Sequence, residues 1–215
     1  FQLKSRGIII QTITIIHSII LAIYSGWTWY NTWKIFIPYL LKHGFFITFC
    51  DVNNELWVNQ DVSYWMTHFY ISKIYEFIDT WIILLKGREP MFLQVYHHAG
   101  VVIAMWGLVM TQCTGGSILI LLNSFIHTLM YTYYTFAALG YHTPLKHYLT
   151  ELQLLQFVVG ILSTGLLYFK ENCLNEGQVI SLAFVQIYAV GLIYLFTQFY
   201  IQSYLKKKEK NDKST

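Results

Sequence analysis

Five side chains with chemical reach stand close together in stretches that are otherwise apolar: Lys73, Glu76, Asp79, His97 and His98. The first three recur every third residue. At 3.6 residues per turn, that spacing places them on one helical face, drifting slowly around the axis. The two histidines follow just inside the next apolar segment, with Gln94 one turn before them. An ionisable group at membrane depth costs at least a few kcal/mol, so a chain that carries five in consecutive apolar segments is expected to use them. An imidazole can act as nucleophile, as base or as donor to an oxyanion, and a neighbouring carboxylate can fix its tautomer. Further along, Asn123 and His127 stand at i, i+4, with Tyr131 one turn on and Tyr134 nearby; Gln153 and Gln156 stand at i, i+3.

The elements that must position these groups follow from composition. The chain has 215 residues, 55% hydrophobic and only 12% charged, with a net charge of +3. Soluble domains run about 25% charged. The apolar runs are long rather than alternating, and backbone groups in lipid must be satisfied internally, so the expectation is an all-α polytopic membrane protein. Six transmembrane helices are expected, over residues 7–30, 63–85, 91–110, 117–139, 147–169 and 178–205, in a single domain spanning 1–215. Residues 34–62 read as a long loop, part of which is a candidate interfacial helix, and 206–215 as a solvated basic tail. Trp27, Trp29 and Trp33 form an interfacial belt at the far end of the first span. The first residue is Phe1 rather than Met, and an N-terminally truncated chain is the reading.

With alternating spans, Lys4, Arg6, Lys86, Arg88, Lys146 and five tail lysines fall on one side, against Lys34, Lys42 and Lys170 on the other. The positive-inside rule makes the first side cytosolic. Cys50, Cys113 and Cys173 fall on or near the opposite side, oxidising if that side is a secretory lumen, and a Cys50–Cys173 disulfide is expected there. Counting inward at about 1.5 Å per residue, Asp79, His97 and His98 lie ~9–11 Å from the cytosolic ends of their spans. Glu76 and Gln153 come at ~9–14 Å, and Lys73, His127 and Gln156 at ~14–18 Å. Four spans thus place polar groups in one layer, which predicts a polar pocket open to the cytosol. No cysteine lies in that layer.

Four segments in order, Lys73-x-x-Glu76-x-x-Asp79-Thr80, Gln94-x-x-His97-His98, Asn123-Ser124-Phe125-x-His127-x-x-Met130-Tyr131-x-Tyr133-Tyr134 and Thr150-Glu151-Leu152-Gln153-x-x-Gln156-Phe157, give a specific pattern. On these segments the chain resembles the ELO family of very-long-chain fatty acid elongases. The family's box is commonly His-x-x-His-His; Gln94 replaces the first imidazole with a group that hydrogen-bonds but does not titrate, a variant that also occurs in the family. The resemblance implies seven spans, the first absent here, in the endoplasmic reticulum membrane. It implies condensation of a long-chain acyl-CoA with malonyl-CoA to 3-ketoacyl-CoA, CO2 and CoA, with no cofactor and no metal. Separate reductases and a dehydratase would be partners in the cycle, a homo-oligomer is compatible, and no nucleic acid is expected. His97 is then the candidate nucleophile, with His98 and His127 orienting or stabilising and Asp79 fixing the tautomer of His97 or His98. Lys73 and Glu76 would pair and hold the pocket's shape, Asn123 and Tyr131 would donate to carbonyls, and Gln94, Tyr134, Gln153 and Gln156 would line the pocket. Lys86, Arg88 and Lys146 would meet CoA phosphates at the mouth, and the acyl tail would run towards the lumenal side.

Blander readings stand beside these. The tyrosines pack in any membrane bundle, glutamines glue helices, and His17, His43, His68, His142 and His147 read as interface or packing residues. A di-iron desaturase needs several histidine boxes, and this chain has one adjacent pair. A transporter or proton relay also carries intramembrane charge, but its internal pseudo-symmetry is not found between the two halves.

Overall fold

The computed structural model describes residues 2–141 and 145–205, and these are all helical or in turns between helices. The expected tail at 206–215, Pro144 and the side chains of Lys4 and Arg6 lie outside the described residues. Helix α1 (Gln2–His43) runs 42 residues, well past the expected end near residue 30. The segment read as a loop is therefore helical in large part. Apolar residues continue at helical spacing beyond Tyr30, Phe36 is 1% exposed, and Pro38 is accommodated near the helix end. After Gly44 come the short helices α2 (Phe45–Cys50) and α3 (Glu55–Asn59). Asp51, Asn54 and Asp61 take positive φ at the junctions, a conformation that Asn and Asp tolerate better than most residues.

The expected second span is split. Helix α4 (Val62–Tyr75) stops at Glu76 and α5 (Phe77–Leu85) starts after it. Across the break, the Asp79 N–H bonds the Glu76 carbonyl three residues back, a tighter turn than the α-helix. Then follow α6 (Phe92–Met110), a 3₁₀ turn at Thr114–Gly116, α7 (Ser117–Ala138), α8 (Leu145–Gly165) with a 3₁₀ extension to Phe169, and α9 (Glu176–Tyr200) with a closing π turn to Leu205. Among the described residues, five helices, not six, are long and apolar enough to cross a membrane uninterrupted, because the break at Glu76 divides the other. Exposed side chains such as Ile23, Trp81, Phe92, Leu162 and Ile187 give the bundle an apolar outer face, as a lipid-facing surface requires.

The helices close a ring: α1 packs on α7, α7 on α8, α8 on α9, α9 on α6, α6 on α4 and α4 back on α1. One end of the ring is filled. Leu56, Met66, Leu108, Leu167 and Leu182 pack there with Phe36 and Phe49. A disulfide joins Cys50 to Cys173 at the same end, tying α2 to the segment before α9, with Cα atoms 4.7 Å apart. Asn175 caps α9 in a reciprocal box with Gln178, whose amide also reaches the carbonyls of Thr111 and Gln112. Cys113 is free and buried beside them, and burial pushes its thiol up to about 11. The other end of the ring is hollow.

Candidate active site

A cavity of about 560 Å³ occupies the hollow half. Its wall takes Glu76, Asp79 and Lys86 from the broken α4–α5 path, and Gln94, His97 and His98 from α6. Asn123, His127, Tyr131 and Tyr134 come from α7, and Lys146, Gln153 and Gln156 from α8. Of the residues singled out from sequence, Lys73 lies behind this wall, 1% exposed, and Arg88 is not part of it. Burial and the neighbouring Arg88 push the Lys86 ammonium below the usual lysine range.

The break at Glu76 lets its carboxylate turn inward. Lys73 Nζ donates to Glu76 Oε1 at 2.7 Å and to Asn123 Oδ1 at 3.0 Å. With its oxygen occupied, Asn123 keeps its NH2 as the side for a further partner. His127 Nδ1 stands 3.3 Å from both Glu76 Oε1 and Lys73 Nζ, so its tautomer decides which of the two it bonds. A buried lysine, carboxylate and imidazole thus share one cluster, the arrangement that makes a buried charge tolerable.

His97, His98 and His127 gather above that cluster. The His97 ring centroid is 5.3 Å from that of His98 and 6.4 Å from that of His127. The turn of α6 that carries the pair is gripped by α9. Tyr188 donates its hydroxyl to the backbone carbonyl of His97 at 2.8 Å, and its ring stacks on Tyr96 at 5.4 Å. The grip needs two glycines: a Cβ at Gly100 would collide with the Tyr188 ring, and one at Gly191 with Tyr96. Phe77, the first residue after the break, presents its ring to His98 with centroids 5.9 Å apart.

Asp79 does not serve His97 or His98 as expected. Its Oδ1 lies 2.9 Å from His17 Nε2 on α1, and its Oδ2 accepts the Tyr131 hydroxyl at 2.7 Å. Tyr131 is thereby committed to a carboxylate rather than left free for a substrate carbonyl. Gln94 reaches Thr80 at 3.4 Å and Gln153 reaches the Met130 sulfur at 3.3 Å, both weak contacts, consistent with polar lining. His17 is the residue that sequence reasoning left aside. A usable signal existed: it lies ten residues into the first span, the same layer as Lys73 and His127. His147, also assigned to packing, bonds the Tyr200 hydroxyl at 2.7 Å.

Among the described residues, four buried polar atoms of the wall have no hydrogen-bond partner: His17 Nδ1, Glu76 Oε2, His98 Nδ1 and Gln156 Oε1. Leaving such a group unpaired costs about 1–3 kcal/mol, so the cavity wall carries polar groups that the described residues do not satisfy. Among the described residues, no three His, Cys, Asp or Glu side chains come together in an arrangement that could hold a metal ion.

The chain is similar in sequence to known proteins. The model of the family described as ELO: GNS1/SUR4 matches residues 2–212. "Putative fatty acid elongase 4" of Caenorhabditis elegans is 37% identical over 182 residues, covering 81% of this chain and 61% of that protein. "Fatty acid elongase sre1" of Dictyostelium discoideum is 31% identical over 212 residues, 98% of this chain and 79% of that protein. "Fatty acid elongase 1" of Trypanosoma brucei brucei is 30% identical over 215 residues, covering 94% and 69%. The chain therefore spans between 61% and 79% of these relatives' lengths.

Proposed function

The chain belongs to the ELO (GNS1/SUR4) family, and from that premise we propose that it is the condensing enzyme of fatty acid elongation, acting on long-chain acyl-CoA and malonyl-CoA. In this reading His97 attacks the thioester carbonyl of the acyl-CoA. The C–S bond breaks, an N–acyl bond forms, and the imidazole N–H proton leaves with CoA as its thiol. Malonyl-CoA follows. Its bond to the carboxylate breaks, CO2 departs, and the electron pair of the enolate attacks the acyl carbon. The imidazole leaves and recovers a proton from solvent. Each turnover thus takes up one proton and yields 3-ketoacyl-CoA, CO2 and CoA. His98 and His127 would stabilise the oxygen on which charge develops, in a cavity dry enough for the carbanion. The Lys73–Glu76 pair would hold His127, and Lys86 and Lys146 would meet the phosphates of CoA.

The observation that carries this reading is the meeting of three imidazoles from two helices on one cavity, with lysines at its outer end. The burial of Cys113 at the filled end, with its thiol pushed up, favours imidazole over thiol as nucleophile. In this reading the protein works in the endoplasmic reticulum membrane and hands its product to reductases and a dehydratase. The test is incubation of membranes carrying the protein with labelled malonyl-CoA and a panel of acyl-CoAs. Products two carbons longer than the acceptor, lost in His97→Ala, support the reading; label recovered only as free malonate and acetate overturns it.

A further inference from the structure

Helix α1 carries His17 onto the cavity wall, although none of the motif segments lies on α1. The register of α1 against α7 is set elsewhere: Gln11 donates to the Ala138 carbonyl at 2.9 Å, and the packing of α1 on α7 is the most extensive in the bundle. The seam does not need a histidine to close it. Yet His17 is 4% exposed, and its Nε2 stands 2.9 Å from Asp79 Oδ1. The carboxylate can only accept, so Nε2 carries the proton. On its other oxygen the same carboxylate accepts the Tyr131 hydroxyl at 2.7 Å, and the Tyr131 ring stands edge-on to His127 with centroids 5.5 Å apart. A line of contacts therefore runs from α1 through Asp79 to the α7 residues beside the imidazoles. The other nitrogen, His17 Nδ1, is buried and has no partner among the described residues.

We propose that His17 is a positioning residue of the condensing site: by donating Nε2–H to Asp79 it fixes the carboxylate, and through it the Tyr131 hydroxyl and the edge of His127. The proposal rests on reading the cavity as the site of condensation. Without the donor, Asp79 has only Tyr131 to hold it and is free to turn towards the cavity. Tyr131 follows, and the face it presents to His127 loosens. A shift of about 1 Å in a reacting constellation can lower a rate about 100-fold, while the binding of CoA at the lysine end is untouched. The effect belongs in kcat rather than in KM.

Three replacements of His17 separate the roles. His17→Gln keeps an N–H donor at the reach of Nε2. His17→Asn keeps the amide but is too short for Asp79, and His17→Leu keeps the bulk alone. Condensation would be measured on wild-type and variant membranes with palmitoyl-, stearoyl- and oleoyl-CoA, normalised to folded protein by thermal unfolding in detergent. We expect His17→Asn and His17→Leu to lose about 100-fold in kcat with KM within about threefold, and His17→Gln to stay within about fivefold of wild type in kcat. The double variant His17→Asn/Tyr131→Phe should lose no more than the worse single variant, because both act through Asp79. Wild-type turnover in His17→Asn, a folded but inactive His17→Gln, or losses that multiply in the double variant would each overturn the proposal. Wild-type membranes that elongate none of the acyl-CoAs would instead remove the reading of the cavity, and this proposal with it.

Discussion

Asp51 and Glu76 are both buried carboxylates, one at each end of the ring, and the protein completes one and not the other. Asp51 Oδ1 accepts the Leu56 N–H, and Oδ2 accepts the Trp57 N–H and the Thr114 hydroxyl, all within 3.0 Å. Glu76 turns one oxygen to Lys73, with His127 3.3 Å away, and among the described residues has no partner for the other. The surroundings follow suit. Around Asp51 lie a disulfide, a reciprocal helix cap and close-packed leucines; around Glu76 lie a cavity, a broken helix and three more wall residues with unpaired polar atoms. The first end is finished by the chain itself. The second keeps polar atoms on its cavity wall that the described residues leave unpaired.

If the two ends differ in this way, damage at the hollow end should always cost chemistry, and damage at the filled end should cost stability without chemistry. The largest effect is expected for His97→Ala, which should lower condensation by more than about 1,000-fold, read as product per folded protein, with the variant still found in the membrane. Next is Lys73→Met, which strands the Glu76 carboxylate in a buried setting. Removal of one partner of a buried pair costs about 3–5 kcal/mol, so its thermal unfolding should fall sharply and activity with it. Cys50→Ser should cost about 2–5 kcal/mol of stability yet leave kcat near wild type at low temperature; loss of kcat in folded Cys50→Ser would break the comparison. The smallest effect belongs to Lys86→Gln, a severalfold rise in KM for acyl-CoA that salt diminishes. Because the Lys86 pKa is lowered, its charge is lost at lower pH than that of an ordinary lysine. The wild-type KM should therefore climb as pH rises through that range, while the Lys86→Gln KM does not.

Much of the site was legible because helical rise converts sequence number into depth. Counting inward from each span end was enough to put Glu76, Asp79, His97, His98, His127 and Gln156 in one layer, and the structure brings them to one cavity. The same count reaches His17, which was passed over because a lone histidine without neighbours of its kind reads as packing. Continuity of the helix was the assumption that misled. Glutamate is a good helix former, so nothing local announces a break at Glu76; the break follows from tertiary demand, a carboxylate turned towards Lys73 and His127. By depth Asp79 reads as a partner of His97 or His98, whereas the ring places α1 and α7 beside it. Pro38 and the acids after it read as a loop, but Pro38 sits near the end of α1, and Asp51 and Asp61 sit at short-helix junctions, where positive φ suits them.

The most direct test of the central claim is intact-mass analysis of the purified protein after incubation with acyl-CoA alone. An imidazole nucleophile in the hollow end predicts release of CoA without malonyl-CoA, and a mass gain of one acyl group that maps to His97 and is absent from His97→Ala. No adduct and no free CoA under conditions where malonyl-CoA supports turnover, or an adduct on Cys113, would contradict it.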